Sequence, residues 1–188
     1  MIKLIVAYNN NYAIAENGTI PWYSSEDFKH FKRTTMGCSI IMGYTTWKTL
    51  PKQPLPGRLN LVLTRNPGPA SAEFPGIYFA NDLSVLFRRA LMMNPGQDIV
   101  IIGGEQIYNL ALEGNHVEKV IASEIDDDAT GDKFFPNLYD RGWKAETIQD
   151  YDGFKVVEFT PPFPPGKIQM VSVTSTDEPP DVCCDPSE

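Results

Sequence analysis

The 188-residue sequence predicts an α/β domain. A central, mostly parallel twisted sheet of about eight strands is expected, with an antiparallel C-terminal strand and helices on both faces. Three observations carry this. Short β-branched runs recur along the chain, bounded by Gly, Pro or Asn. Several of them are apolar throughout instead of alternating, as strands covered on both faces are. Helix-like segments lie between them, and strand–helix alternation is the signature of a parallel sheet.

Strands are expected at 2–8 (IKLIVAY), 38–43 (CSIIMG), 59–65 (LNLVLTR), 76–80 (GIYFA), 98–104 (DIVIIGG) and 119–125 (KVIASEI). Helices are expected at 25–35, 44–50, 82–92 and 105–112; the last two follow Asn-Asp and Gly-Gly, both good helix starts. After an aromatic-punctuated stretch over 132–152, GFKVVEFT (153–160) reads as a late antiparallel strand. From Thr160 onward the chain is Pro-rich and then acidic. Lys167 is the only base against five acids in residues 161–188, so this tail buries little surface and is expected to be mobile or surface-docked. One piece, 168–173 (IQMVSV), has the composition of an edge strand.

Sixteen basic against twenty-four acidic residues give a net charge of −8, which argues against nucleic acid as a partner. An anionic ligand must be held by local Lys or Arg. No apolar run is long enough to span a bilayer, and the N-terminal MIKLIVAY is too short for a secretion signal; no membrane association and a cytoplasmic location are expected. Cys38 stands alone and Cys183 and Cys184 are adjacent, a spacing that suits neither a disulfide framework nor a metal site.

The stretch TIPWYSSEDFKHFKRTT (19–35) enters a helix that Ser24 or Ser25 can cap. On a helical wheel Phe28 and Phe31 share a stripe, and Asp27 lies within about a sixth of a turn of Phe31. Glu26 points away, free to complement the helix dipole and to pair with His30 at i+4. Asp27 is left partly desolvated beside Phe28, Phe31 and Trp22. Two readings stay open for it: a helix-start acid, or an acid that grips an amidine-like ligand through two hydrogen bonds.

Two glycine-led turns join strands to helices. In IIGGEQIY (101–108) the backbone can approach a pyrophosphate with helix amides aimed at it. In MGYTTWKTL (42–50), Gly43, Thr45 and Thr46 repeat the arrangement. Thr64 and Arg65 end another strand, where α/β folds bind ligands, and Arg65 could meet a further phosphate. Arg58, between a Pro-Gly turn and an apolar strand, is mounted to grip a carboxylate in bidentate fashion or to stand solvated in its turn.

Taken in order, IVAY, IPW with Asp27 and FKRTT, IIMGYTTWKTLP, PLPGRLNLVLTR, VIIGGEQIY, ASEID and GDKFFP make the chain resemble dihydrofolate reductase over residues 1 to about 160. The resemblance implies reduction of 7,8-dihydrofolate to tetrahydrofolate, with hydride passing from NADPH to pterin C6 and a proton to N5. It implies a monomer with dihydrofolate as its small-molecule partner, and an adenosine-binding subdomain over about 39–95.

Residue roles follow from the same resemblance. Asp27 would be the catalytic acid on the pterin N3 and 2-amino group, its pKa raised by burial. Trp22 and Ser123 would complete the catalytic set. Ile5, Phe28, Phe31, Leu50 and Leu55 would wall the folate pocket, Arg58 would take the glutamate α-carboxylate, and Lys32 would lie near that tail. Ala7, Ile14, Gly18 and Thr19 would meet the nicotinamide end of the cofactor. Gly43, Thr45 and Thr46 would serve the diphosphate from one side, and Gly103, Gly104, Glu105, Gln106, Ile107 and Tyr108 from the other. Thr64 and Arg65 would hold the 2′-phosphate. A cis Gly103–Gly104 peptide is implied, as is closure of residues 13–22 over the nicotinamide. Tyr44 stands where a basic residue is usual, and Ala15 where a glycine is. Two rivals are a reductase of a flavin-synthesis pyrimidine on the same fold, which needs no Asp27 and Arg58 pair, and a non-catalytic binding module.

Overall fold

A computed structural model describes residues 1–166. The eight strands of the main sheet run, in spatial order, β5 (Tyr78–Ala80), β4 (Leu59–Leu63), β3 (Ser39–Gly43), β6 (Ile99–Gly103), β1 (Ile2–Asn9), β7 (Lys119–Ile125), β10 (Phe154–Thr160) and β9 (Lys144–Tyr151). Pairings from β5 through β7 are parallel; β10 is antiparallel to both β7 and β9. The expected architecture, including the late antiparallel strand, is found.

Among the described residues five helices connect the strands: α1 (Ser25–Thr35), α2 (Tyr44–Thr49), α3 (Pro67–Glu73), α4 (Leu83–Met93) and α5 (Glu105–Glu113). Strand alternation splits the core in two. Leu4, Val6, Ile41, Leu61, Ile101 and Val120 meet α4 and α5 through Leu86, Phe87, Ile107 and Ala111. Ile5, Ile40, Met42, Val62, Val100 and Ile121 face the other way, against Trp47, Ala70 and Phe79, with Trp22, Phe31, Leu50 and Leu55 packed around them. Burial of both strand faces explains why these strands read as continuous apolar runs.

Four elements escape the sequence reading. Helix α3 starts at Asn66-Pro67-Gly68-Pro69, a string that looks like a turn; proline at its first position fits a helix start because the missing N–H has no partner there anyway. Strand β9 is exposed along most of its length, so KAETIQDY lacks the apolar pattern of its neighbours. A separate two-stranded ribbon joins β2 (Ala13–Ala15) to β8 (Lys133–Phe134).

Helix α1 bears out one expectation and corrects another. Ser24 is the N-cap, its Oγ accepting from the Asp27 amide at 3.2 Å. Glu26 does not pair with His30; its Oε1 takes Lys29 Nζ at 2.6 Å on the solvent side. An imidazole at i+4 was the wrong partner because His30 is turned inward and only 9% exposed. The buried stripe of the helix therefore runs Asp27, His30, Phe31, Thr34 and Thr35, whereas Phe28 is 46% exposed.

The start of the C-terminal segment contacts the domain, with the Gly166 amide donating to the Asn115 carbonyl at 2.8 Å. The edge strand expected at 168–173 lies outside the described residues. Within the described residues no helix is long and apolar enough to cross a membrane.

Candidate active site

One cavity of about 1670 Å³ runs along the carboxyl ends of the parallel strands, where open α/β sheets bind their ligands. Every site residue expected from sequence lines it. Ile5 and Ala7 come from β1, Asp27, Phe28, Phe31 and Lys32 from α1, and Ser123 from β7. The remaining parts are contributed by the strand ends and loops around β3, β4 and β6.

At one end stands Asp27. Its carboxyl is partly buried, and this desolvation raises its pKa above the ordinary aspartate value. Two neighbours act in the opposite direction: the Ser123 hydroxyl, turned toward the carboxylate as a donor, and the His30 imidazole. Ser123 is only 1% exposed, so its hydroxyl is held rigidly at the third pair from the end of β7, opposite Ala7 of β1. Tyr108, buried in α5, donates to the Ile5 carbonyl at 2.8 Å and ties the back wall to β1.

Arg58 sits on the other side of Phe31, its guanidinium carbon 5.8 Å from the ring centroid. The loop that carries it is built by Asn60. This buried amide accepts from the Leu55 N–H at 3.0 Å and donates to the carbonyls of Leu55 and Arg58 at 2.9 and 3.0 Å. Gly57 adopts φ +72° in the turn, and its carbonyl accepts from the Gly37 amide at 2.9 Å. A stiff loop thus aims a planar, five-donor group into the cavity. Arg58 Nε is buried without a protein acceptor among the described residues. A carboxylate is the partner its geometry fits.

The glycine turns meet at the sheet's centre. Met42 is in register with Gly103, and β6 slips by one residue between Ile101 and Gly103. The Gly103–Gly104 peptide is cis, as implied by the resemblance. A Cβ at Gly103 would lie 3.1 Å from the Tyr108 hydroxyl, and one at Gly104 3.3 Å from Thr46 Oγ1. A Cβ at Gly43 would come within 3.8 Å of Gly103 O and Gly104 N. Three glycines thus form a backbone-walled cradle, and Gly104 caps α5 with no side chain over its first amides. Such a surface suits a diphosphate. Glu105 lines the cavity, and its Oε1 accepts from the Phe134 amide at 2.9 Å, docking β8 against α5.

Residues 13–22 fold over the cavity. Buried Asn9 fixes the loop's entry, accepting from the Asn11 and Ala13 amides and donating to the Ala129 carbonyl. Asp132 donates its amide to the Ala15 carbonyl at 2.9 Å and accepts from the Asn17 amide at 3.2 Å. Lys133, Asn81, Tyr44 and Glu73 also line the cavity. Sequence reading passed over Asn81 and Glu73; Asn81 had a usable signal, its place just past a strand's carboxyl end.

A largely parallel sheet, a cleft across its carboxyl edge, a glycine cradle and a half-buried acid thus share one site. The family model described as dihydrofolate reductase matches residues 1–157. Dihydrofolate reductase of Buchnera aphidicola from Acyrthosiphon pisum is 38% identical over 135 residues, covering 72% of this chain and 78% of that protein. That of Neisseria gonorrhoeae is 35% identical over 161 residues, covering 85% and 94%. Dihydrofolate reductase type 3 of Salmonella typhimurium is 33% identical over 144 residues, covering 77% and 83%. The chain belongs to the dihydrofolate reductase family.

Proposed function

We propose that the chain reduces 7,8-dihydrofolate to 5,6,7,8-tetrahydrofolate with NADPH, as a cytoplasmic monomer whose partner is the small-molecule substrate and not nucleic acid. Family membership supports the reaction. The observation that carries the site assignment is Asp27: a buried-face acid with a raised pKa, backed by Ser123, in the same cavity as the glycine cradle.

Asp27 holds the pterin through N3 and the 2-amino group, a planar two-donor edge that a carboxylate meets in bidentate fashion. Ser123 orients that carboxylate and shares the 2-amino contact. Because burial raises the acid's pKa, it retains a proton nearer to working pH than a solvated aspartate would, and so favours protonation of the pterin at N5. Trp22 closes this end against water. Ile5, Phe28, Phe31, Leu50 and Leu55 hold the rings by apolar contact, Arg58 fixes the glutamate α-carboxylate, and Lys32 adds positive charge beside that tail.

The cofactor, when bound, supplies a hydride from nicotinamide C4 to pterin C6. Ala7, Ile14, Gly18 and Thr19 keep that ring in place. Gly43, Thr45 and Thr46 face the diphosphate from one side and the 103–108 turn from the other, with Thr64 and Arg65 at the 2′-phosphate. Residues 39–95 form the adenosine-side unit of the domain. The test is loss of NADPH absorbance near 340 nm, about the wavelength where reduced nicotinamide absorbs. Loss that requires dihydrofolate is expected; none would favour a binding module, and loss with a flavin-precursor pyrimidine instead would favour the rival reductase.

A further inference from the structure

Three parallel strands stop side by side at the cavity end remote from Asp27. Gly43 is paired with Leu63, and Leu63 with Ala80, so Tyr44, Thr64 and Asn81 emerge in a row. All three line the cavity, and Arg65 follows Thr64 along its rim. Glu73, the last residue of α3, joins this row from the side. Tyr44 donates its hydroxyl to Glu73 Oε2 at 3.1 Å, and Lys48 Nζ lies 2.6 Å from Oε1. Lys48 is itself held over the Phe74 ring, 4.9 Å from its centroid. Glu73 faces the cavity; Lys48 stands behind it.

The arrangement is unusual for a surface that meets a phosphate. Two donors able to serve an anion, the Tyr44 hydroxyl and the Lys48 ammonium, are both engaged by a carboxylate. What the cavity sees at this point is the carboxylate, with Arg65 as the cation beside Thr64. Lys48 and Tyr44 hold the Glu73 pKa below the ordinary glutamate value, so the group stays ionised at any pH near neutrality. A carboxylate accepts a hydrogen bond from a neutral ribose hydroxyl and repels a phosphate dianion in the same place.

We propose that Glu73, fixed by Tyr44 and Lys48, is a specificity-determining residue that opposes the 2′-phosphate of NADPH and accepts the ribose 2′-hydroxyl of NADH, so that both dinucleotides serve. This rests on the reading that the Thr64–Arg65 end receives the adenosine. Arg65 pulls toward the phosphate and Glu73, only partly offset by Lys48 behind it, pushes against it, so discrimination between the two dinucleotides is narrowed.

The test is binding of NADP⁺ and NAD⁺ to the full chain by calorimetry, alongside KM for NADPH and NADH. Glu73→Gln keeps the shape and removes the charge. It is expected to tighten NADP⁺ about tenfold while loosening NAD⁺ about twofold, with the NADP⁺ gain shrinking at high salt. Arg65→Ala is expected to weaken NADP⁺ about tenfold and leave NAD⁺ within about twofold. Equal movement of both dinucleotides in Glu73→Gln, or no movement, overturns the role of Glu73. If Arg65→Ala also leaves both affinities unchanged, the adenosine lies elsewhere and the assignment of this end falls too. Unchanged melting of both variants guards against misfolding as the cause.

Discussion

Asp27 and His30 sit three residues apart on one face of α1, both turned into the protein, and each bears on the other's protonation. Burial pulls the His30 pKa down while the Asp27 charge pulls it up; Arg33, farther along the helix, pulls it down again. Around this face, β7 offers the Ser123 hydroxyl and β9 the Tyr151 phenol, which accepts from Arg33 at 3.1 Å. Lys119 of β7 and Glu158 of β10 neutralise one another at 2.5 Å. His30 Nε2 is buried without a protein partner among the described residues.

Because the imidazole is a group that lowers the Asp27 pKa, its removal is expected to raise that pKa further. The descending, high-pH limb of the hydride-transfer profile, measured in single turnover, should move to higher pH in His30→Phe and less far in His30→Gln. Stability gives an independent sign. A histidine whose folded pKa is depressed costs stability as pH falls below about 6.5, its unfolded value, because the unfolded chain binds the proton more readily. His30→Phe should lose less melting temperature than wild type between about pH 7 and 5. An unmoved profile would leave His30 with packing alone.

Asp27→Asn separates catalysis from folding. The folded pKa of this acid is raised, so the native state binds protons more readily than the unfolded one, and stability falls as pH rises through that window. Neutralising the side chain should therefore raise the melting temperature near pH 7, with the gain fading toward about pH 3, where both states are protonated. Turnover of dihydrofolate at neutral pH should drop by roughly 100-fold or more, within the range of a lost general acid, while NADP⁺ binding is kept. Near-normal turnover would remove Asp27 from the mechanism.

Much of this site was legible because it follows from periodicity. The helical wheel separated Asp27 from Glu26, and apolar runs ending in Gly43, Thr64 and Gly103 marked the carboxyl edge of a parallel sheet. What periodicity cannot show is which polar groups meet once the chain folds. His30 was assigned to Glu26 by spacing, yet it rotates inward with Asp27, and Lys29 takes the glutamate instead. Glu73 carries no signal in the sequence; its place in the site comes from Tyr44, 29 residues away. Glu105 lay in the expected cradle, but its side chain serves the Phe134 amide across a gap of 29 residues. Strand β9 was missed for a related reason: at the sheet's edge it has no face that must be wholly apolar.

Arg58 should govern substrate affinity alone. Asn60 and Gly57 hold its loop from the backbone side, so truncating the guanidinium leaves the loop's hydrogen bonds in place. Losing a charge-assisted pair of about 1.5–3 kcal/mol predicts a KM for dihydrofolate raised roughly 10- to 100-fold in Arg58→Ala. Affinity for NADPH, measured by quenching of protein fluorescence, should stay as it was. Arg58→Lys is expected to recover only part of the loss, since an ammonium cannot make the two parallel bonds. A KM unchanged in Arg58→Ala would move the substrate's carboxylate to another cation, such as Lys32 on the cavity wall.

The glycine cradle allows a sharper contrast. Gly103 adopts φ +129°, a region that side chains rarely enter, and an added Cβ would also press the Tyr108 hydroxyl at 3.1 Å. That hydroxyl is not free to yield, being bonded to the Ile5 carbonyl at 2.8 Å. Gly104, by comparison, has φ −93°, and its added Cβ would meet only Thr46 Oγ1 at 3.3 Å, the end of a side chain that can rotate. Gly103→Ala should therefore cost about 1–3 kcal/mol of folding stability, read by denaturant titration, and lose most cofactor affinity. Gly104→Ala should melt close to wild type yet bind NADP⁺ more weakly, because its methyl narrows the approach of the diphosphate to the α5 amides. Equal destabilisation by the two alanines would mean that backbone conformation, and not access to the cradle, decides the identity of both residues.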